Sequence, residues 1–164
     1  MSSQQSTLLF QVATPGVSRR DLRAFQKRLE TKVAGGRVFC CLITSDAELQ
    51  RLNREFRERD YPTDVLSFPV QKHPLPDGRG SVASASFRCI APCGEIAISY
   101  HAARRQSAEF GHAVNQEIEI LMLHGLLHLL GMDHETDHGQ MRTAERKWRA
   151  RLGLPAGLIE RVSA

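Results

Sequence analysis

Aromatic residues are scarce in this sequence. Its 164 residues hold 1 Trp, 2 Tyr and 7 Phe, a thin supply for a surface that grips nucleic acid mainly by stacking bases. No uninterrupted apolar run approaches the roughly 20 residues of a membrane-spanning helix, which argues against an integral membrane protein. The opening segment, MSSQQSTLLFQVATPG, lacks the basic stretch and long apolar core of a secretory signal, so the expected location is the cytoplasm. Cysteine is limited to 4 residues, the adjacent pair Cys40 and Cys41 and the C-x3-C pair Cys89 and Cys93. Without a secretory signal these are not expected to form a disulfide framework. Cys40 and Cys41 lie in an apolar run, VFCCLI, where successive side chains point to opposite faces, and read as small core residues. Cys89 and Cys93 offer only a minor candidate for a second metal site. Internal repeats are absent too.

What is present fits one domain spanning residues 1–164, 41% apolar and long enough to bury a substantial core. The net charge of +4, from 22 basic and 18 acidic residues, is compatible with a polyanionic partner without requiring one. Basic residues crowd segments 19–32, 51–59 and 142–151, a pattern that solvated helix faces also produce. Strands are expected over residues 8–13, 37–44, 64–70 and 94–100, the last with alternating polar and apolar positions. Helices are expected from a Ser18 cap to about residue 33, from the capping box Ser45-Asp46-Ala47-Glu48 to Arg57, over residues 114–130, and over residues 137–152. Thr63 and Asp64, after Pro62, read as turn anchors through side-chain to backbone bonds. Residues 71–92 are dense in Pro, Gly and Ser and read as an inserted loop. The expected fold is α+β, a short mixed sheet packed against helices with a buried central helix.

The chemistry concentrates in HGLLHLLGMDH. On a helix, His124 and His128 stand one above the other on the same face. Gly131 can close the helix in the left-handed conformation, and the chain can then return His134 to the same point. Three imidazoles with a fourth position left open describe a catalytic zinc site, whereas structural sites are usually closed by four protein ligands. A core histidine bonded to backbone is the bland alternative for any one of them. Against it, residues 120–130 are apolar around the whole helix, and burying two imidazoles there without a shared partner is costly.

The spacing matches the zinc layout of metzincin peptidases, except that their catalytic glutamate is replaced here by Gly125. A peptidase would lack its general base, and the vacated position reads as open volume beside the metal. Asp133, Glu135 and Asp137 near the third histidine, and Glu117 about two turns before His124, are candidates for a base or for orienting an imidazole. His73, His101, His112 and His138 have no matching geometry.

Together with LNREFRERDYPTDVLSFP at residues 52–69 and GEIAIS at residues 94–99, this stretch resembles the YbeY family of bacterial rRNA-maturation endoribonucleases. The resemblance covers roughly residues 45–148. It implies a metal-dependent endoribonuclease directed at single-stranded RNA, acting on the 3′ end of the small-subunit ribosomal RNA and in ribosome quality control, with the small ribosomal subunit as partner. Aligned on the motifs, it places one Zn2+ on His124, His128 and His134 and a functionally important arginine at Arg57. Gly94-Glu95 stands where the family commonly shows Gly-Asp, and residues 71–92 lengthen the preceding connection. Other readings are a zinc-dependent peptidase or phosphoesterase, and a ribosome-associated RNA-binding protein stapled by zinc.

Overall fold

Hydrophobic patterning resolves into a four-stranded sheet with helices on both faces. The structure is a computed structural model that describes residues 5–70, 93–155 and 159. The proposed insertion at residues 71–92, with His73 and Cys89, lies outside the described residues. In chain order the elements are β1 (Thr7–Phe10), α1 (Arg19–Lys32), β2 (Cys40–Thr44), α2 (Asp46–Arg57), β3 (Val65–Pro69), β4 (Gly94–Ser99), α3 (Tyr100–Phe110), α4 (Val114–Leu129) and α5 (Gln140–Leu152). The strand order is β1-β2-β4-β3, with β1, β2 and β4 parallel and β3 antiparallel on the edge. This is the expected α+β architecture. Among the described residues, no helix is long and apolar enough to cross a membrane.

Local signals set the helix starts. Ser18 Oγ accepts from the Asp21 N–H at 3.2 Å and Ser45 Oγ from the Glu48 N–H at 3.2 Å, each satisfying a donor that a helix start leaves free. The last helix begins later than expected, at Gln140, because Asp137 is spent on the turn: its carboxylate accepts from the Gly139 and Met141 N–H groups, both at 2.8 Å.

Side-chain alternation splits the sheet between two cores. Ile96 and Ile98 of β4 face a large cluster with Leu22, Phe25 and Leu29 of α1 and the apolar surface of α4. Ala97 faces a smaller cluster with Leu49, Leu52, Leu66 and Phe68, where Phe56 meets Phe68 edge-on at 5.8 Å. Strand β4 is therefore buried along its whole length, although its sequence alternates. A central strand covered on both faces has no solvent side. Helix α4 is buried almost all round, as its composition requires, and each such Leu or Ile contributes about 1.5–3 kcal/mol. Trp148 packs on this core half-buried, with the Arg151 guanidinium 5.4 Å from its ring. Cys41 and Cys93 are buried free thiols, whereas Cys40 is disulfide-bonded, against the expectation of none.

Candidate metal centre

Helix α4 delivers two of the three histidines and its C-terminal turn delivers the third. Gly131 adopts φ +94°, a conformation nearly closed to other residues. Its N–H bonds the His128 carbonyl at 3.0 Å, and the Met132 N–H bonds that of Leu127 at 3.1 Å. The reversed chain then makes one further turn, with the Thr136 and Asp137 N–H groups on the Asp133 carbonyl, and this turn carries His134. The three rings converge at centroid separations of 4.8, 5.3 and 5.4 Å. One nitrogen from each lies within 4.8 Å of the others, an arrangement that could hold a metal ion. His124 is buried, His128 half-buried and His134 exposed.

The outward partners of two rings fix which nitrogens face inward. His128 Nδ1 lies 2.9 Å from the Met132 carbonyl oxygen, and His124 Nδ1 lies 2.8 Å from Glu145 Oε2. A carbonyl oxygen only accepts, so His128 Nδ1 carries the hydrogen, and a His124 Nδ1–H donated to Glu145 would likewise turn Nε2 toward the cleft as an acceptor. Those Nε2 atoms face one another 3.2 Å apart. Two lone pairs at that separation repel unless a proton or a cation lies between them. Donors at about 2.0–2.1 Å from a tetrahedral zinc stand ~3.3–3.4 Å apart, so the His124–His128 pair fits such an ion.

Burial, reinforced by His124 and His134, pushes the His128 pKa down to about 4. A neutral imidazole is the form that binds metal. The same shift sets a pH dependence for the metal-free protein. In the unfolded chain His128 titrates near the ordinary value of about 6.5, so between that value and about 4 the unfolded state holds more protons and stability rises with pH. The urea midpoint of metal-free protein is expected to be highest above pH 6.5 and to fall from there toward pH 4; in His128→Gln this part of the profile should flatten.

The histidines form one wall of a cleft of about 730 Å³. Arg57, Arg59, Asp64 and strand β3 line the rest, together with Asp133 and Glu135. Arg57 ends α2, where Glu58 turns the backbone left-handed at φ 56°. It is exposed and makes no ion pair or hydrogen bond with a described residue, so its guanidinium is free to meet a ligand in the cleft. Asn53 holds this turn, accepting from the Arg59 N–H at 3.2 Å through its carbonyl and donating from Nδ2 to the Tyr61 carbonyl at 2.9 Å.

The nearby carboxylates sort by what they touch. Asp64 accepts from the Val65 N–H at 2.8 Å and from Gln106 Nε2 at 3.0 Å, a turn anchor that also lines the cleft. Asp133 accepts from the Glu135 N–H at 3.0 Å, and that bond holds its pKa below the usual carboxylate range. Glu117 is engaged elsewhere, 2.5 Å from His112 Nε2. The residue that sequence reasoning missed is Glu145, 1% exposed. Its signal was present, since it is the single acid of α5 and lies four residues after Met141 on the buried stripe that ends at Leu152.

Gly125 corrects a second expectation. It does not open volume beside the histidines; it presses on the sheet, and a Cβ there would sit 2.8 Å from Ile96 Cγ2 and 3.2 Å from Ser67 Oγ. The Ser67 hydroxyl donates to the Gly125 carbonyl at 2.9 Å. A glutamate at this position would be driven into strand β4 rather than toward the cleft.

Sheet, buried helix and triad define an α+β protein with a candidate three-histidine metal centre at the wall of a cleft. Comparison with known proteins makes the class particular. The family model described as Endoribonuclease YbeY matches residues 16–153, and the chain belongs to the YbeY family. It is 50% identical to the Endoribonuclease YbeY of Solibacter usitatus over 163 residues, 99% of each chain. It is 43% identical to that of Koribacter versatilis over 149 residues, 90% of this chain and 86% of the relative. The solution structure of TM1509 from Thermotoga maritima shares the fold, with a TM-score of 0.54 and 23% identity over 88% of this chain and 93% of that one.

Proposed function

We propose that this protein is a zinc-dependent endoribonuclease that cuts single-stranded RNA in the cytoplasm, with His124, His128 and His134 as ligands and Arg57 as the phosphate-binding residue. The observation that carries this reading is the convergence of three imidazoles, with the Nε2 atoms of His124 and His128 3.2 Å apart, in a cleft that Arg57 also lines. Family membership and the names of the relatives support RNA as substrate. Ribosomal RNA, at the 3′ end of the small-subunit molecule, is the substrate the family resemblance favours, with roles in its maturation and in ribosome quality control.

A bound zinc would polarise the phosphoryl group under attack. The chain's own residues do the rest. Arg57 presents a planar fork of donors that matches two phosphate oxygens and the charge gathering on them in the transition state. Arg59, on the same side of the cleft, adds positive charge along the path of the backbone. Met132 and Glu145 take the Nδ1 side of the two buried-side histidines and so turn Nε2 of each toward the cleft. A peptidase is disfavoured because position 125 cannot hold a base.

The test is cleavage of a defined ribosomal RNA 3′ segment, with casein and a generic phosphodiester as competing substrates and metal content measured alongside. Wild type should cut the RNA in a chelator-sensitive manner and leave casein intact. Arg57→Ala should keep the fold and full zinc yet lose cleavage by about 10²–10³-fold, the usual cost of removing one preorganised charge donor. Undiminished cleavage in Arg57→Ala would reject its role.

A further inference from the structure

Glu145 is a carboxylate buried to 1% exposure in a helix that is otherwise basic among its charged residues. Such a group persists in a core only when its oxygens meet donors. Oε2 lies 2.8 Å from His124 Nδ1, and Oε1 accepts from the backbone N–H of Ile159 at 2.8 Å. One donor belongs to the triad and the other to the chain beyond α5. The opposite His124 tautomer would set a bare Nδ1 lone pair against Oε2 in a dry site and aim Nε2–H at His128. Carboxylate and tautomer therefore specify each other.

We infer that Glu145 is a positioning residue that holds His124 with Nε2 bare toward the cleft, and that the backbone N–H of Ile159 is a functional part of the same site. The Ile159 N–H satisfies Oε1, Glu145 fixes the His124 tautomer, and the tautomer sets the affinity for metal. The last link rests on the zinc reading above. The first two concern the metal-free protein and stand without it.

The test uses full-length wild type, Glu145→Gln and Ile159→Pro, with Zn2+ as the probe. Glutamine keeps the shape but offers one acceptor oxygen to two donors, and proline at 159 deletes the backbone N–H. Zinc affinity is measured by chelator competition, and the His124 tautomer by 15N NMR of the imidazole in metal-free protein. Expected are a predominant Nδ1–H form in wild type, a mixture of tautomers in Glu145→Gln, and a zinc Kd raised about 10–100-fold in that variant. Ile159→Pro should weaken zinc several-fold in the same direction. A purely structural role for Glu145 would lower thermal stability and leave the tautomer unmoved. An Nε2–H tautomer in wild type overturns the inference whether or not the variants fold, as do unchanged tautomer and affinity in Glu145→Gln. Wild-type zinc affinity in Ile159→Pro rejects the C-terminal link. Should wild type take up no zinc, the zinc reading fails, while the tautomer measurement still decides the role of Glu145.

Discussion

His124→Ala is expected to abolish stoichiometric zinc and to lower RNA cleavage by about 10³-fold or more, while the protein still folds. Loss of ~4 kcal/mol of transition-state stabilisation is enough for that rate effect, and a metal acting as Lewis acid contributes several kcal/mol. A comparison within the triad sharpens the test. His124 is buried and partnered by Glu145, so its removal also strands a carboxylate in the core, at a cost of about 1–3 kcal/mol. His134 is exposed, and among the described residues no buried side chain hydrogen-bonds to it. His134→Ala should therefore lose zinc and cleavage as severely but leave the stability of the metal-free protein near wild type. Zinc per chain, cleavage rate and urea unfolding of stripped protein separate the two variants. Retention of full zinc and activity by His124→Ala would remove the basis of the proposed function.

The histidines were legible in the sequence because their geometry is local. A spacing of four on a helix fixes a shared face, and the glycine that returns His134 is three residues beyond the second histidine, where φ +94° is adopted. The buried central helix was legible for the same reason, from unbroken apolar composition. Features that depend on how elements pack were not. Glu145 reaches His124 only because α5 crosses α4 at one particular rotation, and spacing along the chain carries no record of that. Arg57 ends a helix in a manner any exposed arginine could, and resemblance rather than patterning singled it out. The Cys40 disulfide was likewise not disclosed by the adjacent-pair spacing. The misreading of Gly125 has the same origin: the motif told which residue was missing beside the histidines but not what filled the space.

That space makes Gly125→Glu the most instructive single substitution, since it would restore the glutamate of a metzincin-like motif in sequence. It is expected to yield no peptidase and to destabilise the fold by more than about 4 kcal/mol. The steric step decides the sign. Placing any Cβ at position 125 gains ~1 kcal/mol of helix propensity over glycine, but that atom would lie 2.8 Å from Ile96 Cγ2 and 3.2 Å from its Cδ1. Ile96 cannot turn aside: it is β-branched with few rotamers, fully buried, and held in register between Cys41 on one side and Ser67 on the other. Overpacking of this kind costs about 1–3 kcal/mol, so Gly125→Ala alone should be mildly destabilising. Glutamate adds a carboxylate to a contact whose hydroxyl, that of Ser67, already donates to the Gly125 carbonyl, a burden of several further kcal/mol. If the contact with Ile96 is the cause, Ile96→Ala and Gly125→Ala should be less than additive in urea unfolding, coupled by about 0.5–3 kcal/mol. A Gly125→Glu protein with wild-type stability that hydrolyses casein would show that the helix can turn this position toward the metal, and the packing argument for excluding peptidase chemistry would fall.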